Sequence, residues 1–182
     1  ERTVDRQGRR KLAAVVLRGL RRRRPGPRGQ VGVGRRPGAL PDDLHLGLAL
    51  EGLFQAERLL DASIVAGALT VEGLAGSHAP FDARIHAASG LPGQVRVARH
   101  LRALLTDSEI LRSHEHCERV QDPYAVRCMP QVFGAVEHTL EHAREVLGAA
   151  VNGVSDNPLI FGDDILSGGN FHAEPVGFVS DF

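Results

Sequence analysis

The feature that most constrains this chain is one long helical period. Leu46, Leu50, Leu53, Phe54, Leu60, Ile64 and Ala68 recur at three- and four-residue steps, as one face of an α-helix requires. Ala62, Val65, Ala66 and Leu69 make much of the other face small or apolar as well. A helix apolar on most sides is stable only when other helices surround it. The pattern therefore predicts a helix from about Leu44 to Gly73 or Gly76, buried in a bundle. It is not a membrane span, because Glu51, Glu57, Arg58 and Asp61 interrupt it.

Two more helices follow from the same periodicity. One spans Gln94 to Leu105, with Val97, Leu101 and Leu104 on a face. The other begins near Pro130, a favourable first-turn residue, and stops at Gly153. Its stripe is Val132, Phe133, Val136, Leu140, Ala143, Leu147 and Ala150. Residues 78–93 read as a loop, residues 106–129 as polar and irregular, and the stretch after Gly153 as loop with short strand pieces. Long helices without strand alternation predict an all-α, long-helix bundle.

The zero net charge hides two unlike parts. Residues 1–40 hold 13 of the 22 basic residues and two of the 22 acids. An acidic body follows, which disfavours nucleic acid as a partner. The expected division is a basic Arg/Gly/Pro-rich leader over residues 1–43 and a helical domain over 44–182. The run Arg21-Arg22-Arg23-Arg24-Pro25-Gly26-Pro27-Arg28 has neither helical nor strand period. It reads as a disordered segment, or as GC-rich coding text translated out of frame, ahead of a functional basic arm. Two cysteines, Cys117 and Cys128, exclude a disulfide scaffold and fit a reducing compartment. With a single methionine at position 129 and an abrupt end at Phe182, the chain reads as an internal piece of a longer protein.

Several clusters could carry chemistry. His138-Thr139-Leu140-Glu141-His142 matches a helical H-x-x-E-H pattern, whose histidines lie one turn apart and could share zinc in a hydrolase. No third ligand stands out, and the cluster lies off the apolar stripe, as a solvated face would. His114-Glu115-His116-Cys117 lacks a spaced ligand pair and reads as a polar loop. Three other loops share a different character. Tyr124 and Arg127 would share a face if their segment is helical. Arg127 offers a planar fork suited to a carboxylate, and Tyr124 a donor or acid/base. Asn157 offers an amide, and Gly168-Gly169-Asn170-Phe171-His172 brings backbone and an aromatic ring close to a ligand.

These loops carry a resemblance. Phe81-Asp82-Ala83-Arg84-Ile85-His86, Val120-Gln121-Asp122-Pro123-Tyr124 through Arg127-Cys128-Met129-Pro130-Gln131, Ser155-Asp156-Asn157-Pro158-Leu159 and Ser167 to Pro175 resemble the aromatic amino acid ammonia-lyase family. They lie in its order and at similar spacing, closest to the branch acting on histidine. The resemblance covers residues 44–182. It implies a cytoplasmic, mostly helical homotetramer that eliminates ammonia from L-histidine to give trans-urocanate. It also implies a methylidene-imidazolone electrophile made from an internal Ala-Ser-Gly. By the same resemblance Arg127 holds the substrate carboxylate, Tyr124 is the catalytic tyrosine beside it, Asn157 lies near the carboxylate, and Phe171 packs near substrate and electrophile. Tyrosine or phenylalanine ammonia-lyases and aminomutases are the near alternatives. The cofactor-forming tripeptide, the base loop and the imidazole-contacting glutamate are expected outside this chain, and Gly38-Ala39-Leu40-Pro41 stands where an Asn-Gly-Thr should end. The chain by itself is therefore expected to be inactive.

Overall fold

The computed structural model describes residues 41–181, with side chains from His45 onward. The expectations for residues 1–40 lie outside the described residues. Among the described residues the regular structure is helical apart from one hairpin. Helix α1 spans Pro41–Gly73, a 3₁₀ turn Ala79–Phe81, α2 Ala83–Ser89, α3 Pro92–Leu104, α4 Glu109–Ser113, α5 Tyr124–Arg127 and α6 Met129–Asn152. Strands β1 (Leu159–Phe161) and β2 (Asp164–Leu166) pair antiparallel, and α7 covers Glu174–Ser180. The all-α expectation holds. Among the described residues no helix is long and apolar enough to cross a membrane.

The described residues form two compact units, one over residues 52–142 and one over 41–51 with 143–181. The first has a continuous core. Leu60, Ile64, Ala68 and Val71 of α1 meet Phe81, Val97, Leu101, Leu105, Leu111 and Val126, with Met129, Phe133 and Leu140 of α6 packed against them. Each fully buried aliphatic or aromatic side chain contributes about 1.5–3 kcal/mol relative to exposure. In the other unit Leu50, Ala143 and Leu147 are buried. The hairpin turns at Gly162, whose φ of +61° suits a residue without a Cβ.

The stripe of α1 is buried as its period requires, but the opposite face is not covered. Leu59, Val65 and Leu69 are exposed among the described residues. On α6, Val132 and Val136 are likewise exposed, although they belong to the apolar stripe. Helix α1 ends in a Schellman arrangement, with Gly76 N–H donating to Val71 O and Ala75 N–H to Glu72 O. The left-handed residue there is Ala75 (φ +47°), not either flanking glycine.

Three segments expected to be irregular are more ordered. Residues 78–93 contain the 3₁₀ turn and α2. Asp82 starts that helix as its N-cap, accepting from Arg84 N–H at 2.8 Å. Residues 106–129 contain α4, capped by Ser108 accepting from Leu111 N–H at 3.2 Å, and α5. Helix α7 also lies where loop was expected. Helix α3 begins at Pro92, two residues earlier than its apolar period, because proline is well suited to a first turn. The α3–α6 crossing is set by Gly93 and Gly134: a Cβ on either would collide with backbone of the other helix. A salt-bridge cluster reinforces the same pair. Arg96 lies 3.0 Å from Glu137 and 2.8 Å from Glu141.

Candidate active site

The Asp-Pro-Tyr-x-x-Arg segment folds as its sequence suggests. Pro123, with φ −51°, precedes the single turn α5, and Tyr124 and Arg127 fall on one side of that turn. The Arg127 guanidinium lies over the Tyr124 ring, 5.3 Å from its centroid, a favourable cation–π distance. Its Nε–H donates to the Asp122 backbone oxygen at 2.9 Å. The two Nη groups have no partner among the described residues. A guanidinium held by its face and its Nε edge presents the two Nη groups as a fork, the geometry that grips a carboxylate. Tyr124 is exposed and Arg127 half-buried, so a solute can reach both.

Asp122, which has no role in the sequence reading, is the buried member of the group. Its Oδ2 accepts from both the backbone N–H and the Oγ of Ser77, each at 2.9 Å. Arg119 Nη1 lies 3.8 Å from its Oδ1. The only signal for it in the sequence is an acid placed just before Pro-Tyr. Ser77, its partner 45 residues earlier, gives no signal at all.

Asn157 and Phe171 belong to the other unit. The Asn157 side-chain oxygen accepts from Gly168 N–H at 2.7 Å and from Ser167 Oγ at 3.2 Å. A backbone N–H is unambiguously a donor, so this fixes the amide's orientation. The acceptor is consumed in tying the Asp-Asn-Pro loop to the Ser-Gly-Gly loop, and two N–H donors remain. Donors are what a carboxylate or carbonyl ligand needs. Phe171 is exposed in the loop that Asn157 anchors. Beyond it, Glu174 N–H donates to His172 Nδ1 at 3.1 Å, which shapes the turn into α7. So the structure brings Tyr124 to Arg127, and Asn157 to the loop that carries Phe171.

The zinc alternative loses its centre. Among the described residues no group of three His, Cys, Asp or Glu converges. Glu141 is not part of a solvated face; it is half-buried against Arg96. Burial holds the neighbouring Glu137 carboxyl above its usual range, against the pull of Arg96.

One Ala-Ser-Gly does stand in the chain, Ala88-Ser89-Gly90, although the cofactor-forming tripeptide is expected outside it. It does not fit a cofactor precursor. Ser89 is the last residue of α2 and Gly90 its left-handed cap at φ +71°. Ser89 Oγ donates to His86 O at 2.8 Å, and Gly90 N–H to Ala87 O at 3.3 Å. The tripeptide is a helix terminus whose polar groups are already committed.

His86 itself is fully buried and mostly structural in character. Its Nε2 faces the Pro80 carbonyl at 3.0 Å and must carry the proton. Its Nδ1 then accepts from Gln94 Nε2 at 2.9 Å. Burial lowers its pKa from the ordinary 6.5, so the ring is held neutral.

The sequence profile of the aromatic amino acid lyase family matches residues 42–182. Histidine ammonia-lyase of Idiomarina loihiensis is 58% identical over 137 residues, covering 74% of this chain and 27% of that protein. Histidine ammonia-lyase of Salmonella paratyphi B is 58% identical over 136 residues, covering 73% and 27%. The chain thus spans about a quarter of the length of these relatives. Among solved structures, Pantoea agglomerans phenylalanine aminomutase is 29% identical with a TM-score of 0.67, covering 74% of this chain and 30% of that one. Histidine ammonia-lyase from Trypanosoma cruzi is 32% identical with a TM-score of 0.64, covering 74% and 24%. The match runs through α1 to α7 and through every loop described above: the chain belongs to the aromatic amino acid lyase family.

Proposed function

We propose that this chain supplies the carboxylate-gripping part of a histidine ammonia-lyase. The observation that carries the reading is the fixed guanidinium of Arg127. Its Nε is bound to Asp122 O and its face lies on Tyr124, so its Nη fork is left for the carboxylate of L-histidine. In its own unit Asn157 offers amide donors to a carboxylate or carbonyl, its oxygen being already used. The Arg127 fork cannot release ammonia by itself; it binds and orients the amino acid. Holding the carboxylate fixes Cα and its amino group relative to the reacting side chain, and such positioning accelerates a reaction without changing its chemistry. Tyr124, beside the fork, can donate or accept a proton near the substrate. The products of the elimination are trans-urocanate and ammonia.

The methylidene-imidazolone electrophile is, in this reading, made elsewhere in the full-length protein, and no residue described here is assigned to it. The full-length protein is a cytoplasmic homotetramer. The uncovered apolar face of α1, with Leu59 and Leu69, supports the oligomeric part of that reading.

Identity of 58% to histidine ammonia-lyases supports histidine as the substrate. The structural likeness to a phenylalanine aminomutase supports the runner-up, because a carboxylate grip serves any aromatic amino acid. The test is an ultraviolet assay for urocanate, run on the full-length protein and on the 182-residue chain. Turnover by the former and none by the latter is the expected result. A full-length protein that consumes phenylalanine or tyrosine and spares histidine favours the runner-up. Turnover by the short chain alone overturns its predicted inactivity.

A further inference from the structure

We infer that Asp122 is a positioning residue for substrate binding and acts through Arg127. The inference rests on the reading of Arg127 as the carboxylate fork. Asp122 works at both of its ends. Its backbone oxygen holds Arg127 Nε–H at 2.9 Å. Its carboxylate, nearly buried, is fixed by two hydrogen bonds from Ser77, at the turn that ends α1. A buried carboxylate is tolerated only when it is hydrogen-bonded, and here the bonds come from a segment far away in sequence.

The loop needs such an anchor. Residues 112–121 are exposed throughout, so no apolar side chain among them ties the loop down. Asp122 is the first buried residue after Leu111. Arg119 assists, with Nη1 3.8 Å from Asp122 Oδ1 and donating to Leu74 O at 3.2 Å. Asp122 therefore sets the position of the carbonyl that orients the guanidinium. Without its carboxylate the carbonyl is no longer fixed, and the Nη fork loses its direction while keeping its charge.

The test uses the full-length protein and two probes of opposite design. Imidazolepropionate keeps the imidazole and the carboxylate. Histamine keeps the imidazole and lacks the carboxylate. Asp122→Ala weakens inhibition by imidazolepropionate about 10–100-fold, the loss typical for hydrogen bonds to charged groups, and changes that by histamine less than about threefold. KM for histidine rises by the larger factor and kcat falls by less. Asp122→Asn keeps one acceptor for Ser77 and recovers part of the loss. Should Asp122→Ala fail to fold, Ser77→Ala removes a single hydrogen bond and gives a smaller shift of the same selectivity.

Arg127→Ala separates the two levels of the argument. If it discriminates between the probes and neither Asp122→Ala nor Ser77→Ala does, the positioning role is overturned and the carboxylate fork stands. If Asp122→Ala weakens both probes equally, the residue is merely structural and the inference is again overturned. If Arg127→Ala itself does not discriminate, the fork reading fails and this inference fails with it.

Discussion

Replacing Gly134 by alanine should destabilise the fold, although alanine is the better helix former. A Cβ at this position would lie 2.6 Å from Gln94 Cα and 2.8 Å from Gly93 C, and nearer still to Gln94 N. Carbon atoms prefer about 3.5–4.0 Å. The obstacle is backbone, so no rotamer change relieves it. Helices α3 and α6 would have to separate by roughly 1 Å, and a gap of that size forfeits about a quarter to a half of each dispersion contact across it. Met129 and Phe133 of α6 pack against the core that holds Val97 and Leu101 of α3, and they would feel the separation. Overpacking of this kind costs about 1–3 kcal/mol, sometimes more. The gain in helix propensity offsets at most about 1 kcal/mol. The net expectation is a loss of up to about 2 kcal/mol. Gly148 on the same helix is the control, since nothing lies within 4 Å of its added Cβ. Gly148→Ala should stabilise by about 0.5–1 kcal/mol. Urea unfolding of the chain followed by far-ultraviolet circular dichroism measures both midpoints. The opposite signs are the test. A Gly134→Ala midpoint equal to or above that of Gly148→Ala would refute the close-crossing argument.

Three further outcomes are open to measurement. Burial lowers the pKa of His86 below 6.5, so the unfolded state binds the extra proton first and stability falls as pH drops through the window from about 6.5 to the folded value. The slope within that window is at most about 1.4 kcal/mol per pH unit. It should vanish in the difference between wild type and His86→Gln, measured by unfolding across pH 4–8; that subtraction also removes Glu137, whose raised pKa acts with the opposite sign above 4.5. Arg96→Met takes the cation from Glu137 and Glu141 and should cost about 1–3 kcal/mol for a partly buried pair, a loss that shrinks on acidification as Glu137 takes up a proton. Ala75→Gly should stabilise the fold by up to about 1 kcal/mol, read as a higher urea midpoint, because Ala75 occupies the left-handed cap of α1 at φ +47°.

What could be read in the sequence divides by range. The long helices are legible because each carries its own period: Leu60, Ile64 and Ala68 face the core as their spacing demands. The short helices α2 and α4 are not, because one or two turns are too short to show a period. They are set by caps, Asp82 and Ser108, that look like ordinary loop residues until the N–H groups they accept are known. The left-handed residue that ends α1 is equally hidden, since Gly73 and Gly76 flank it and the conformation falls on Ala75.

The site divides in the same way. Tyr124 and Arg127 announce themselves by residue type and by a three-residue spacing that one helical turn converts into stacking. Asn157 announces itself by type, but the direction of its amide depends on Gly168, eleven residues later. Asp122 matters through Ser77, forty-five residues earlier, and no local pattern encodes that distance. A short-range signal thus identifies the groups that would touch a substrate, while the groups that aim them are fixed by contacts that only the folded chain creates. The aiming groups bear directly on the chemistry. A fork with the right charge and the wrong direction binds a carboxylate weakly, and selectivity between ligands with and without one is the quantity that reports it.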